Sequence, residues 1–506
     1  MRHIARSTLI VAIFFGLEKG LGFLRQLLIA RHFGLSPELD AFNAANNIPD
    51  LLFVLISGGA LAMAFIPVLS EYLEKEGHQT AWDLFSRIAN LVFLATAGLS
   101  ILVAIFAGQL TRWKIGIAPG FTSEQQALVA DLMRMNLIAT LLFSISGLVM
   151  AGLQANQHFL LPALAPSMYD IGTLFGVLVL APESGYQIGP LILPAYGMGI
   201  YGLVYGVIIG AGLFLAVQVP GLLRYRFRWT PAIGLRHPGV RQVLTLLGPR
   251  VVTVFFIQLV FLSQDNIASR LVSGSISALV YGWLFMQVPE TLIGTAIGTV
   301  LLPTLSEQIS RQDQASFRRC LNHSMRAILA LTLPVAALIA VAIRPFVGML
   351  GFDPAGTDMV VWTARAYMAG LVGHALLEVA VRSFYARQDA RTPLIAAGLT
   401  TTAFILLAIL LSRPFGAAGI GLANTIAFTG EALVLWWLLN RRFAGVWQAR
   451  DTLVRAGLTA AGCGLLVFFA MRLPLPALPL ALGSLALGGL LAIPFIWPEV
   501  KLLIKL

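Results

Sequence analysis

Long apolar runs, separated by short polar connections, set the pattern of the chain. They fall near 7–30, 40–68, 86–110, 127–153, 159–181, 196–219, 243–269, 276–304, 325–349, 360–385, 393–412, 416–439, 454–472 and 477–497. A helix crosses the hydrocarbon core with about 20 apolar residues, so each run is long enough to span a bilayer. The pattern predicts an all-α polytopic membrane protein with fourteen transmembrane helices. No connection approaches domain size. The longest, about 223–242, carries Arg224, Arg226, Arg228, Arg236 and Arg241.

Composition agrees: 58% of the 506 residues are hydrophobic and 11% charged, against about a quarter charged in soluble domains. A soluble enzyme is excluded. The net charge of +11 would suggest a nucleic-acid partner in a soluble protein, but its distribution says otherwise. Connections on the side of the termini hold 21 of the 34 Lys and Arg, among them the loop arginines above, Arg318, Arg319 and Arg326. The opposite side holds seven: Arg31, Arg112, Lys114, Arg270, Arg344, Arg413 and Arg472. By the positive-inside rule both termini are cytoplasmic, and no nucleic-acid partner is implied. The start, Met1-Arg2-His3-Ile4-Ala5-Arg6, has the character of a signal n-region. The apolar stretch that follows continues to Ala30 without a small-residue cleavage site, which predicts an uncleaved first span. The two cysteines, Cys320 in a polar loop and Cys463 in a span, give no disulfide framework or zinc site.

An internal repeat organises the chain. Pro67-Val68-Leu69-Ser70-Glu71 closes span 2, and Pro303-Thr304-Leu305-Ser306-Glu307 closes span 8. Ala155-Asn156-Gln157 with Pro162 enters span 5, and Ala386-Arg387-Gln388 with Pro393 enters span 11. Both offsets equal six spans, an even number, so the halves share one orientation about an axis along the membrane normal. The expected organisation is an N-lobe at 1–222, a cytoplasmic linker at 223–242, a C-lobe at 243–440 and a C-terminal helix pair at 441–506. Two pseudo-symmetric six-helix lobes are a transporter plan.

Ionisable residues inside spans are costly and mark function by default. Span 1 carries Glu18, Lys19 and Arg25, a candidate cationic lining for an anionic substrate. The competing account is a self-neutralised pair, Glu18 with Lys19 or Arg25. Span 2 carries Asp40 and a helix-breaking Pro49, and span 8 repeats the device with Pro289 and Glu290. Span 7 offers Arg250 and Asp265, and span 12 Glu431. In span 10, His374, Glu378 and Arg382 stand four apart on one stripe. A Glu378–Arg382 pair explains that stripe better than a metal site, for which no second ligand pair exists. Gly202, Gly206 and Gly210 form a small-residue packing stripe. No phosphate-binding loop, metalloprotease helix or nucleophile elbow occurs, so the chain is expected to be a transporter and not an enzyme.

Several segments resemble one family. Gly22-Phe23-Leu24-Arg25, Leu39-Asp40-Ala41-Phe42, Ala64-Phe65-Ile66 running into Pro67–Glu71, and Phe384-Tyr385-Ala386-Arg387-Gln388-Asp389 with Thr392-Pro393 are similar to the MurJ (MviN) family. So are Ser273-Gly274-Ser275-Ile276-Ser277 and Gly298-Thr299-Val300-Leu301-Leu302-Pro303. This is the lipid II flippase branch of the multidrug/oligosaccharidyl-lipid/polysaccharide exporter superfamily. The resemblance implies a flippase in the bacterial cytoplasmic membrane that moves undecaprenyl-diphosphate-linked peptidoglycan precursor to the outer leaflet by alternating access. It implies membrane lipids and the cell-wall synthesis machinery as partners, and no cofactor. Coupling to the membrane potential or to a monovalent cation stays open. By this resemblance Lys19, Arg25 and Asp40 are substrate-binding positions, joined by Arg250 and Arg382. Glu18, Pro49, Asp265, Pro289 and Glu378 are gating or coupling positions. The chain departs from the family at Phe53, Gly58, Trp283 and Leu284, where cavity charges are common. That leaves two alternatives: a flippase for another polyprenyl-linked oligosaccharide, or a non-transporting membrane scaffold.

Overall fold

The computed structural model describes residues 2–56, 59–188, 191–443 and 445–504, with side chains excluded at 2–13, 15, 59–60, 63, 188, 191, 249–250, 253 and 503–504. Among these residues the fold is helical, apart from one short hairpin pairing Gln187–Ile188 with Leu191–Ile192. Two compact units divide the chain, Met1–Arg270 and Leu271–Leu506. Nine helices among the described residues are long and apolar enough to cross a membrane, and one bent pair makes a tenth.

The first unit contains α1 (Arg2–Phe33), α2 (Pro37–Ile56), α3 (Gly59–Lys75), α4 (His78–Arg112) and α5 (Ser123–Ala155). It continues with α6 (Leu160–Phe175), a π-turn at Gly176–Leu180, α7 (Ile200–Ala216), α8 (Val219–Arg224) and α9 (Pro238–Ala268). Its core joins Phe65, Trp82, Phe85, Leu148 and Leu153. Helices α6 and α7 touch through glycine: a Cβ on Gly172 would lie 2.3 Å from Gly210 Cα, and one on Gly176 2.7 Å from Gly206 Cα. The small-residue stripe is therefore a packing seam. The long polar connection is strapped down. Asn90 on α4 donates to the carbonyls of Thr230 (2.8 Å) and Ala232 (2.9 Å), and Trp82 Nε1 donates to Tyr225 O (3.0 Å).

The second unit contains α10 (Ser275–Glu290), a π-turn at Thr291–Thr295, α11 (Ala296–Ser310), α12 (Gln314–Gly348) and α13 (Pro354–Met368). After these come α14 (Leu371–Ala386), α15 (Arg391–Arg442), α16 (Arg450–Ala470) and α17 (Ala477–Ile504). The 52 residues of α15 would extend about 78 Å as one rod. They do not, because Gly416 takes φ 56°, ψ −137°, a conformation open to glycine alone. The chain turns sharply there: a Cβ on Gly419 would fall 2.0 Å from the Leu411 carbonyl oxygen. Helices α13 and α14 form the bent pair, with a 41° break.

Two sequence expectations need correcting. Cys320 is not in a polar loop; it is buried in α12 beside Phe317 and Leu321. Hydropathy starts that span near 325, but Asp313 caps the helix earlier, accepting from Ser316 N at 2.9 Å. Pro49 does not break its helix, since α2 runs through it from Pro37 to Ile56, whereas span 8 passes through a π-turn just after Pro289.

Candidate functional site

In the first unit, charge collects where α1 meets α6. Arg25 Nη1 reaches Asp170 Oδ1 at 2.7 Å, with 19% and 3% of the two side chains exposed. The guanidinium also lies 5.1 Å from the centre of the Tyr169 ring. A short, nearly dry ion pair satisfies a cation that α1 could not otherwise keep among apolar neighbours. Gly22 faces the carboxylate without having to make room for it, since a Cβ there would make ordinary contact with Asp170 Oδ2 at 3.8 Å. Nearly two turns earlier, Lys19 Nζ lies 3.3 Å from Glu18 Oε2, and the lysine is the more exposed of the two. Gly20 meets nothing within 4 Å, so it permits no close approach.

A second polar group joins α2, α5 and α9. Asp265 is buried and hydrogen-bonded by the Asn47 amide. Asp40, also buried, is an electrostatic neighbour of Asp265. Asn136 Nδ2 donates to Asn46 Oδ1 at 2.7 Å. Pro49 is buried one helical turn from Asn46. Amides are suited to this place because each can donate to one buried acceptor while accepting from another. The end of α9 is anchored by Asn266 Nδ2, which donates to Gly116 O at 2.5 Å.

In the second unit, Arg382 and Glu378 form an i,i+4 ion pair on α14. Arg382 Nη2 also approaches Thr299 Oγ1 at 3.5 Å, and Thr295 Oγ1 donates to Glu290 Oε1 at 3.2 Å. Glycine makes the site possible, because a Cβ on Gly298 would lie 2.3 Å from Arg382 Nη1. Pro289 is buried just before the π-turn that ends at Thr295, and Thr299 follows in the first turn of α11. His374 turns elsewhere: its Nε2 is 2.9 Å from Asn424 Oδ1, and its ring stacks on Phe428 with centroids 4.8 Å apart. The three-residue stripe therefore splits, and His374 is a buried structural histidine. Glu431 is hydrogen-bonded by Thr400. No three His, Cys, Asp or Glu side chains converge as a metal site among the described residues.

The structure thus brings together Arg25 with Asp170, Glu18 with Lys19, Asp40 with Asp265, and Glu378 with Arg382. The side chain of Arg250 lies outside the described residues, as does Gly58. Aromatic packing fills two of the other positions where charge was expected. Phe53 packs on Phe143 at 5.8 Å, and Trp283 packs edge-on against Tyr367 and His374, each at 5.5 Å. Sequence reasoning missed Asp170, although an acid in the middle of span 5 was an available signal. It also missed Glu499, fully buried on α17, which holds Arg326 at 3.2 Å and pairs with Arg455.

Comparisons with known proteins bear on the family and the fold. The family described as lipid II flippase MurJ matches residues 29–476. A lipid II flippase MurJ from Burkholderia cenocepacia is 31% identical over 485 residues, covering 92% of this chain and 89% of that one. The fold is similar to a solved structure described as lipid II flippase MurJ in an inward closed conformation. There the TM-score is 0.80 at 23% identity, with 96% of this chain and 98% of that chain covered. It is also similar to an inward-facing multidrug resistance MATE family transporter, with a TM-score of 0.70 at 13% identity and coverage of 86% and 98%.

Proposed function

The chain belongs to the lipid II flippase MurJ family, a family of membrane transporters, and from that membership we propose that it flips lipid II. The proposed movement carries the undecaprenyl-diphosphate-linked precursor from the inner to the outer leaflet of the bacterial cytoplasmic membrane by alternating access. The observation that carries this reading is the family match across nearly all of the chain. The finer architecture belongs to the same proposal. With α15 counted as two spans on either side of Gly416, and with α1, α2–α3 and α9 included, the helices make fourteen spans. They divide into an N-lobe, a C-lobe and a C-terminal helix pair, with both termini cytoplasmic. The cell-wall synthesis machinery is the proposed consumer of the exported precursor.

The Arg25–Asp170 pair suggests how a diphosphate is handled. A bare guanidinium in a low-dielectric interior is costly, so at rest Asp170 neutralises it. An arriving diphosphate offers two phosphoryl groups, and the planar guanidinium can take one of them bidentately. Lys19, exposed and nearly two turns away, adds a second positive charge. When the head group leaves, Asp170 recaptures Arg25, and the cation is never left unpaired. Asp40, Arg250 and Arg382 are proposed as further substrate contacts. Glu18, Pro49, Asp265, Pro289 and Glu378 are proposed as gating or coupling positions, served by the membrane potential or a monovalent cation.

Complementation of a cell depleted of its lipid II flippase, read with a leaflet-accessibility assay for lipid II, tests the reading. Rescue is expected from the wild-type chain and not from Arg25→Ala. A stable, membrane-inserted wild-type chain that fails to rescue would overturn it. The aromatic packing at Phe53 and Trp283 favours a second reading, a flippase for another polyprenyl-linked oligosaccharide. Transport of such a lipid in place of lipid II would identify it.

A further inference from the structure

The second unit contains a cavity of about 670 Å³ whose lining is almost wholly apolar. Val272, Trp362, Phe415, Gly416 and Leu422 form much of its wall, and one cation, Arg365, stands among them. Pockets of roughly 300–1,000 Å³ are the usual size for a small ligand, so the volume suits a molecule and not a packing flaw. The Gly416 break lies in the wall of this cavity, flanked there by Phe415, Ala417 and Ala418. Trp362 is 60% exposed at the edge of the cavity. Tryptophan at such a place is typical of the membrane interface, where an apolar ring meets head groups.

Arg365 makes the cavity more than an apolar groove. It is half-buried, its Nε donates to Ala340 O at 2.9 Å, and its guanidinium carbon lies 5.1 Å from the Trp362 ring centre. Among the described residues no carboxylate lies within ion-pair distance of it. The nearby Arg344 already has its own partner in Asp358, and it adds positive potential around Arg365. An arginine without an acid, beside an apolar chamber and an interfacial tryptophan, calls for a ligand with an anionic head and a hydrocarbon body.

We propose that this cavity binds an anionic glycerophospholipid, with an acyl chain between Trp362, Phe415 and Leu422 and the phosphate on Arg365. The occupant is a lipid of the surrounding bilayer, bound at a place separate from the Arg25–Asp170 pair, and the proposal stands without the flippase reading. A lipid seated there would brace the break in α15 by filling the space beside Gly416. It would also satisfy the free edge of the guanidinium in a setting where water is scarce.

The test uses the full chain in lipid nanodiscs of phosphatidylcholine, doped with phospholipid brominated on its acyl chains. Bromine quenches nearby tryptophan, and subtracting the signal of Trp362→Phe isolates the share from Trp362. Brominated phosphatidylglycerol is expected to quench that share at about fivefold lower mole fraction than brominated phosphatidylcholine, the preference one interfacial arginine supplies. Arg365→Gln should remove the preference, and Ala418→Phe, which fills the chamber from its wall, should weaken quenching by both lipids. Equal quenching by the two lipids in the wild type, or an unchanged preference in Arg365→Gln, would overturn the proposal. So would displacement of brominated phosphatidylglycerol by undecaprenyl phosphate far more readily than by unlabelled phosphatidylglycerol, which would make the site a polyprenyl site. If Arg365→Gln does not fold, the Ala418→Phe result decides alone: undiminished quenching there would sink the idea.

Discussion

The Arg25–Asp170 pair can be separated into a structural and a functional part by a double-mutant cycle. Asp170 keeps 3% of its side chain exposed, Arg25 19%, and their closest atoms are 2.7 Å apart. Removing one partner of a buried pair usually costs about 3–5 kcal/mol, because the other charge is left without compensation. Arg25 retains a solvent-exposed edge and the Tyr169 ring, so Asp170→Asn should cost nearer the lower limit, about 2–3 kcal/mol. Arg25→Gln should cost a similar amount. In the double variant both charges are gone, and most of the loss should be recovered, giving a coupling energy of at least about 3 kcal/mol. Chemical denaturation in mild detergent supplies the four stabilities, and the leaflet-accessibility assay supplies transport. The double variant should be nearly as stable as wild type and still fail to flip. Coupling below about 0.5 kcal/mol would refute the energetic argument, and wild-type transport by the double variant would refute the role of Arg25 as a head-group ligand.

Three other outcomes follow from the same structure. Glu499→Ala strands Arg326 and Arg455 together, so the α12–α16–α17 packing should lose about 3–5 kcal/mol and α17 should become sensitive to protease. Gly172→Ala places a methyl 2.3 Å from Gly210 Cα and should destabilise by at least about 1–3 kcal/mol. Gly212→Ala, with nothing within 4 Å, should leave denaturation unchanged. Asp389 lies in the turn between α14 and α15, outside the spans. Burial pushes its carboxyl up, but hydrogen bonds from Thr392 and the Arg442 guanidinium outweigh this and hold it below the usual range. A carboxyl held low in the folded state contributes stability above its unfolded value and loses it as pH falls through the folded one. Wild type should therefore lose more stability than Asp389→Asn on acidification from pH 5 to pH 3.

What could be read from the sequence follows the range of each signal. Apolar run length located the membrane segments, because a bilayer imposes a length on every helix that crosses it. The turn at Arg413–Gly416 was visible as a gap between two runs, although the helix continues on both sides. The start of α12 was not visible, since hydropathy begins at the membrane edge and the helix begins before it. Cys320 was misplaced for that reason. Within the site, Glu378 and Arg382 could be paired because four residues on a helix are neighbours. Asp170 could not be assigned to Arg25, because 145 positions separate them and only the packing of α1 on α6 joins them. His374 fits the same stripe by periodicity, yet a helix side offers two directions and Asn424 took the ring.

The strap over α4 bears on how the protein can be handled. Long polar connections are ordinarily where proteases nick and where fusions are tolerated. Here the carbonyls of Tyr225, Thr230 and Ala232 are all committed to side chains of α4. A reporter inserted between 225 and 232 would release Asn90 and Trp82 from their acceptors and loosen the end of that helix. The shorter turn at Arg311–Gln312, exposed and free of such commitments to other helices, is the better place to cut or to graft.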